Sequence, residues 1–402
     1  MPVHDSKEFY RKLDTLISKI EMGPGTDRRE LLTNVIRELV ERFGTELSIR
    51  NGRLYEVQGS ELVLIWELGT KRNESDSLGV SMDYEPVRLL FKHRCYLFDR
   101  STPGLDPDFE NRISGGTSSV AIVVGRETEH VLAFGLVDGW ERESIEFGLN
   151  TVRNVLNHTL ETAYLEADLA ETRLIQRSLF PASFPDFPGY DLAARVLTAE
   201  SVGGDYYDFI PLDSDVLGIA TGDASGHGLP AALLVRDVVT GLRMGVEKDM
   251  KITPTLRKLN QVIHRSTLST KFVSLFYGEL EDNGNLMYVN AGHIAPFVLQ
   301  ERGEFRLEVG GSVLGPLPEI RFKRGFMHLD RGGVLVAVSD GIVERVNPSD
   351  EEFGEDRVWE IIRSHRNCSA VDLVEAIFEA SRSHGIGRWQ DDATVVVVKR
   401  AP

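Results

Sequence analysis

Cysteine is nearly absent from this 402-residue chain. Its two residues of this type, Cys95 and Cys368, lie far apart. A disulfide framework and a cysteine-based zinc site are thereby excluded, and a reducing compartment is expected. Long apolar runs are also missing. Val334–Val338 and Val395–Val398, among the longest, are strand-sized and too short to span a bilayer. The opening stretch MPVHDSKEFYRK has no apolar core segment, so no signal peptide is expected, and the protein is placed in the cytoplasm away from membranes. Basic charge is in deficit: 45 Lys and Arg stand against 62 Asp and Glu, a net charge of −17. Such a chain repels phosphate backbones, and nucleic acid is not an expected partner.

What is present describes a folded protein. Hydrophobic residues make up 42% and charged residues 27%, a globular composition. The length predicts two domains and a connector. Residues 1–26 read as a short helical extension closed by Gly23-Pro24-Gly25. A helix follows, with Leu31, Leu32, Val35, Ile36, Leu39 and Val40 at helical spacing. Strand-like pieces come next: ELSIRNGRLYEV, ELVLIWELG, VRLLFKHRCYLFD, SSVAIVVGRE and EHVLAFGLVDG. Asn51-Gly52 in the first predicts a hairpin turn. His93 and Cys95 read as buried structural residues of an apolar strand. This order predicts an α+β domain over residues 27–165.

A connecting helix is predicted over 143–182. Leu149, Val152, Leu156, Leu160, Ala163, Ala167, Ala170 and Leu174 form a narrow stripe suited to a coiled-coil seam between two copies, which predicts a homodimer. Packing of the same stripe on its own domain is the competing expectation. The prolines of FPASFPDFPG stop the helix. Residues 183–402 then alternate strands and loops with two evident helices, Ala231–Val246 and Ala370–Ser383.

Chemistry concentrates in four short segments of this second domain: SVGGDYYDFIPL with Asp205, VLGIATGDASGHGLPAA with Asp223, GGVLVAVSDGIVER with Asp340, and WQDDATVVVVK with Asp391 and Asp392. Asp223 and Asp340 follow apolar strands, Asp391 precedes one, and Asp205 follows a glycine pair. Carboxylates at strand ends sit on rigid backbone at a sheet rim. Adjacent glycines let main chain approach a bound ion. Carboxylates gathered at one rim repel and raise each other's pKa. A hard divalent cation relieves that repulsion, and oxygen-only ligands favour Mg²⁺ or Mn²⁺ over zinc. Two such ions can activate a water for attack on phosphorus.

The motifs GGDYYD, GDASGHG, NAGH (Asn290–His293), SDGIVE, FGEDR (Phe353–Arg357) and DDAT stand in an order that resembles the metal-dependent protein phosphatase (PPM) superfamily, closest to its bacterial SpoIIE/RsbU-like serine phosphatases. The resemblance covers roughly residues 175–400. It implies an αββα sandwich with a two-metal centre of Mn²⁺ or Mg²⁺. By motif position, Asp223 resembles the aspartate that bridges both ions and the attacking water, and the Ala224 carbonyl a backbone ligand. Asp205 would serve the same ion as Ala224, and Asp340 and Asp391 the other. Gly204, Glu344 and Asp392 would support these ligands from behind. The implied activity is serine/threonine phosphoprotein hydrolysis, with a phosphorylated STAS-type anti-sigma-factor antagonist as substrate.

Two positions depart from distant relatives. Glu200 stands where an arginine grips phosphate, and Ser225 where a histidine lies two residues past the bridging aspartate. His227 is expected to help start the following helix at Pro230, and His293 to be a loop or core histidine. Residues 27–165 resemble a GAF domain, a sensory or dimerising module; the resemblance names no ligand. Loss of metal carboxylates would mark an inactive fold member acting by docking, but all four are present. The acidic charge argues against a nuclease, and the complete motif order against a nuclease or a cyclase.

Overall fold

The computed structural model describes residues 15, 20, 27–69, 79–114, 118–126, 129–246, 251–265 and 271–402. The expected helix over residues 1–26 lies, but for positions 15 and 20, outside them. The chain divides into two compact units, Met1–Asp168 and Leu169–Pro402. Among the described residues no helix is long and apolar enough to cross a membrane.

The first unit opens with α1 (Arg28–Phe43), capped by Asp27, whose carboxylate accepts from the Arg29 N–H at 3.1 Å. Leu31, Leu32, Val35, Ile36 and Leu39 form its buried face, as their spacing predicts. Then follow β1 (Ile49–Gln58), β2 (Glu61–Glu67), β3 (Gly79–Ser81), α2 (Glu85–His93), β4 (Cys95–Phe98), α3 (Pro107–Ser114), β5 (Ser119–Val124), β6 (His130–Leu136) and the long α4 (Arg142–Arg177). The strands form one antiparallel sheet in the order β3-β2-β1-β6-β5-β4. Alternation assigns its two faces. Leu54, Val120, Ile122 and Leu132 pack with α1 and the start of α4, while Tyr55, Ala121, Val123 and Val131 pack with Val87 and Leu90 of α2.

Three expectations are corrected here. Asn51-Gly52 makes no hairpin. β1 runs straight through it with a bulge against β6 between Arg50 and Arg53, Asn51 taking φ 51°. Gly52 is buried where any Cβ would collide with the Ile36 side chain. The segment VRLLFKHRCYLFD is not one strand. Its first half completes α2, started by Pro86 and closed by left-handed Arg94 (φ 67°), whose N–H returns to the Leu90 carbonyl. His93 is therefore exposed at a helix end, while Cys95 is half-buried, its thiol pushed up to about 12 by burial. Finally, Leu149, Val152, Leu156 and Leu160 are fully or almost fully buried in their own unit's core, so this part of the stripe is no seam between copies. Ala167, Ala170 and Leu174, farther along, are exposed.

The second unit contains β7 (Tyr190–Leu197), β8 (Asp205–Asp213), β9 (Val216–Ala224), α5 (Leu229–Val246), α6 (Ile252–Arg265), β10 (Val273–Glu281), β11 (Asn285–Ala291), β12 (Phe297–Gln300), β13 (Gly303–Arg306), β14 (Gly310–Gly311), β15 (Gly325–His328), β16 (Val334–Val338), α7 (Asp340–Val343), α8 (Gly354–Ser364), α9 (Ala370–His384) and β17 (Ala393–Arg400). One sheet runs β14-β11-β10-β9-β8 with β15 on β11; the other runs β13-β12-β16-β17-β7. The expected helices at 231–246 and 370–383 are present, and α6 and α8 join them.

These layers form the αββα sandwich. In β17, Val396 and Val398 face the opposing sheet with Phe209, Ile219 and Phe276, while Val395 and Val397 face Leu373 and Ile377 of α9. A strand covered on both sides reads as an unbroken apolar run, which explains TVVVV. Across the sandwich, α5 and α6 cover the outer face of the first sheet through Val235, Leu242, Leu256 and Leu259.

The Gly52 packing yields a test. Gly52→Ala is expected to destabilise the first unit by about 1–3 kcal/mol through overpacking against Ile36, read as an earlier calorimetric transition. An unchanged transition would contradict this packing.

Candidate metal centre

The two sheets bring the motif aspartates to one rim of the sandwich. β8 and β9 pair Asp205 directly with Asp223, and β10 sets Ser274 opposite Asp223. From the other sheet, β16 runs into Ser339-Asp340, and Asp391-Asp392 leads into β17. The Ser339 N–H donates to the Thr394 carbonyl at 3.1 Å, locking these two ends together.

Asp205 is 1% exposed. Its Oδ2 accepts from Ser339 Oγ and Thr394 Oγ1, both at 2.7 Å, so one carboxylate oxygen staples the sheets. Its Oδ1 is buried with no hydrogen-bond partner, a costly state for an oxygen that could carry charge. Asp392 is also buried. Its Oδ1 accepts from the Ala199 N–H (2.7 Å) and its Oδ2 from the Gly204 N–H (2.6 Å), holding the loop before β8. The glycine pair follows from space. A Cβ on Gly204 would lie 2.6 Å from the Ala224 carbonyl oxygen and 3.1 Å from Asp223 Oδ1, and one on Gly203 would overlap the Asp392 carboxylate. Asp340 starts α7, with its Oδ1 accepting from the Gly341 N–H at 2.8 Å. Gly341 abuts the Asp392 carbonyl, leaving no room for a side chain. Asp391 Oδ1 accepts from the Asp392 N–H at 2.8 Å.

Burial and mutual repulsion raise Asp205, Asp223, Asp340 and Asp392 above the usual carboxylate range. Burial, then the charge of Asp223, raises Asp205 well above its ordinary value. Asp223 is raised to about 7 by burial and by the charges of Asp340, Asp391 and Asp392. Asp340 is raised to about 6 by burial, Asp391 and Glu344. Asp392 rises by burial, against the pull of the two N–H groups it accepts. Asp340, Gly341, Glu344, Arg345, Gln390 and Asp391 line an open pocket of about 160 Å³.

This chemistry fits hard divalent cations: the donors are oxygens, the charges are crowded, and one buried oxygen has no partner. Among the described residues, no three His, Cys, Asp or Glu side chains form a ready-made metal cage. A looser set suits Mg²⁺-like ions, which keep several waters and take few carboxylates each.

The two motif histidines lie in different surroundings. His227 is exposed, its Nδ1 2.9 Å from Glu200 Oε1, so the two departures from distant relatives lie side by side. His293 is buried and its pKa lowered to about 4 by that burial, with Nδ1 at 3.0 Å from Ser274 Oγ. Its N–H donates to Asn290 Oδ1 while Asn290 Nδ2 donates to the His293 and Leu307 carbonyls, making NAGH a knotted loop. Ser339 and Thr394, the staple on Asp205, were not singled out by sequence, although each sits inside a motif that was, SDG and DDAT.

A carboxyl raised on folding binds more protons folded than unfolded. Its contribution to stability is therefore fully present below about pH 4, its unfolded value, and is lost as pH rises towards about 7. Metal-free Asp223→Asn is accordingly expected to melt a few degrees above the parent chain near pH 8 and level with it near pH 4. A lower melting temperature at the higher pH would contradict the repulsion.

Residues 213–401 match the family model of Stage II sporulation protein E (SpoIIE). Over 281 residues the chain is 26% identical to Protein IcfG of Synechocystis sp., covering 62% of this chain and 44% of that protein. Over 229 residues it is 27% identical to phosphoserine phosphatase RsbU of Bacillus subtilis, covering 56% of this chain and 68% of that one. The chain thus spans less than half of the first relative and about two thirds of the second. Among solved structures, the SiaA-PP2C domain of Pseudomonas aeruginosa matches with a TM-score of 0.52 at 19% identity, covering 60% of this chain and 99% of that one, which shows a shared fold. By these matches, and by the sandwich that carries the acidic rim, residues 213–401 are similar to the SpoIIE-type phosphatase domains.

Proposed function

We propose that this chain is a metal-dependent protein serine/threonine phosphatase. The observation that carries the reading is the rim itself: Asp205, Asp223, Asp340 and Asp391 converge from both sheets, with Asp223 raised to about 7 by burial and by its neighbours' charges. Two Mn²⁺ or Mg²⁺ ions bound there would supply an activated water and charge stabilisation for in-line attack on a phosphoserine or phosphothreonine ester. Asp223 would bridge the pair. Asp205, through its unpartnered Oδ1, and the Ala224 carbonyl would serve one ion, and Asp340 and Asp391 the other. Asp392 fixes the Gly204 main chain and Glu344 adds charge beside Asp340, so both support the ligands without needing to touch substrate.

The substrate we propose is a phosphorylated STAS-type anti-sigma-factor antagonist in a partner-switching pathway, supported by the similarity to RsbU. Residues 27–165 would act as a GAF-like regulatory domain, a reading supported by the antiparallel sheet packed between helices. Dimerisation would run through the exposed end of α4, where Leu165 and Leu169, one turn apart, are 51% and 44% exposed. The acidic surface and scarce cysteine support a cytoplasmic setting.

Two measurements test this. With Mn²⁺ and a phosphoserine STAS protein, the chain should release phosphate, and Asp223→Asn should lose on the order of 10²–10³-fold in kcat; equal rates would sink the mechanism. In sedimentation velocity the parent chain should run as a dimer and the double variant Leu165→Lys, Leu169→Lys as a monomer; a monomeric parent chain removes the dimer from the account.

A further inference from the structure

Gln176 lies in the last turn of α4, where its sequence neighbours Ile175 and Arg177 are exposed, yet it is 7% exposed itself. Its side-chain amide grips one peptide from both sides. Nε2 donates to the Gly203 carbonyl at 2.5 Å, and Oε1 accepts from the Gly203 N–H at 3.1 Å. One turn earlier, Arg173 Nε donates to the Ser201 carbonyl (2.9 Å) and Nη2 to Ser201 Oγ (3.0 Å). The loop they hold is the one that Asp392 clasps through Ala199 and Gly204 and that delivers Asp205.

We infer that Gln176 is a positioning residue for the metal centre, acting through the Gly203 peptide; the inference rests on the metal-dependent reading above. A reciprocal pair of hydrogen bonds fixes both the place and the rotation of the peptide it grips. The target needs such fixing, because two successive glycines leave the main chain wide conformational freedom. Their freedom cannot be reduced by larger residues, since Gly203 and Gly204 lie against Asp392, Ala224 and Asp223. Rigidity therefore comes from outside: Asp392 on one flank and Gln176 on the other. Burial shields the pair from water, so loss of either bond strands a polar group of the loop. Groups behind a metal site that orient its ligands typically change affinity by 10–100-fold when removed. The consequence for regulation is specific. α4 begins in the core of the first unit and ends on this loop, so a change in its last turn reaches the acidic rim through one amide.

The test uses the metal-free full chain. Gln176→Glu keeps shape and the acceptor for the Gly203 N–H but sets a carboxylate oxygen against the Gly203 carbonyl. Calorimetric titration with Mn²⁺ should show a dissociation constant weaker by about tenfold, with kcat near the parent value once Mn²⁺ saturates. The exposed neighbour variant Glu171→Gln should bind Mn²⁺ like the parent chain. Should the charged variant fail to fold, Gln176→Ala carries the same expectation, with faster hydrogen exchange across Gly203–Asp205. Parent-like Mn²⁺ affinity in the Gln176 variants overturns the inference and leaves the metal reading standing. A parent chain that binds no Mn²⁺ overturns the metal reading, and the inference with it.

Discussion

Acids forced together at the rim of a sheet sandwich repel one another, and much of the surrounding structure exists to hold them there. Asp205 spends one oxygen on Ser339 and Thr394, tying the two sheets, and keeps the other buried and free of partners. Asp392 uses both oxygens on main-chain N–H groups and thereby fixes the loop before β8. Asp223 and Asp340 carry the electrostatic cost, with pKa values raised to about 7 and about 6. A metal-free fold tolerates this arrangement because the sandwich on which it sits is deeply packed. Val334–Val338 and Ala393–Val398 are buried on both faces, and such strands resist the local adjustment that would let the acids drift apart.

How much of this could be read from residues alone varied with the range of the interaction. The rim aspartates were legible because each is announced locally, by a strand that ends or begins nearby, with glycine beside Asp205, Asp223 and Asp340. The long helix was legible from uninterrupted helical spacing, yet spacing could not say which part of its stripe meets its own domain. Leu149, Val152, Leu156 and Leu160 are buried in their own core, while Leu165 and Leu169 lie off the predicted stripe and are exposed. Asn51-Gly52 misled because turn chemistry is local whereas the choice between turn and bulge is made by α1, whose Ile36 leaves room only for a glycine. VRLLFKHR misled because a short apolar run serves helix or strand alike, and Pro86 decided for the helix. Gln176 had no local signal. It is one polar residue on a polar helix end, and its partner is a main-chain peptide 27 residues on.

The similarity to known phosphatases is unevenly spread along the chain. Residues 213–401 carry the family match, whereas the first unit is an independent antiparallel sheet with its own core. α4 belongs to both units in sequence. Its start is core in one and its last turn holds the glycine loop of the other, so the helix that joins the units is also part of the support for the acidic rim.

The central claim is that the rim of Asp205, Asp223, Asp340 and Asp391 is a two-metal site. Diffraction from crystals grown with Mn²⁺, collected at the manganese edge, tests it most directly. The account predicts two anomalous peaks about 4 Å apart, both in contact with Asp223. Absence of any peak at the rim, or a lone peak that does not touch Asp223, would contradict it.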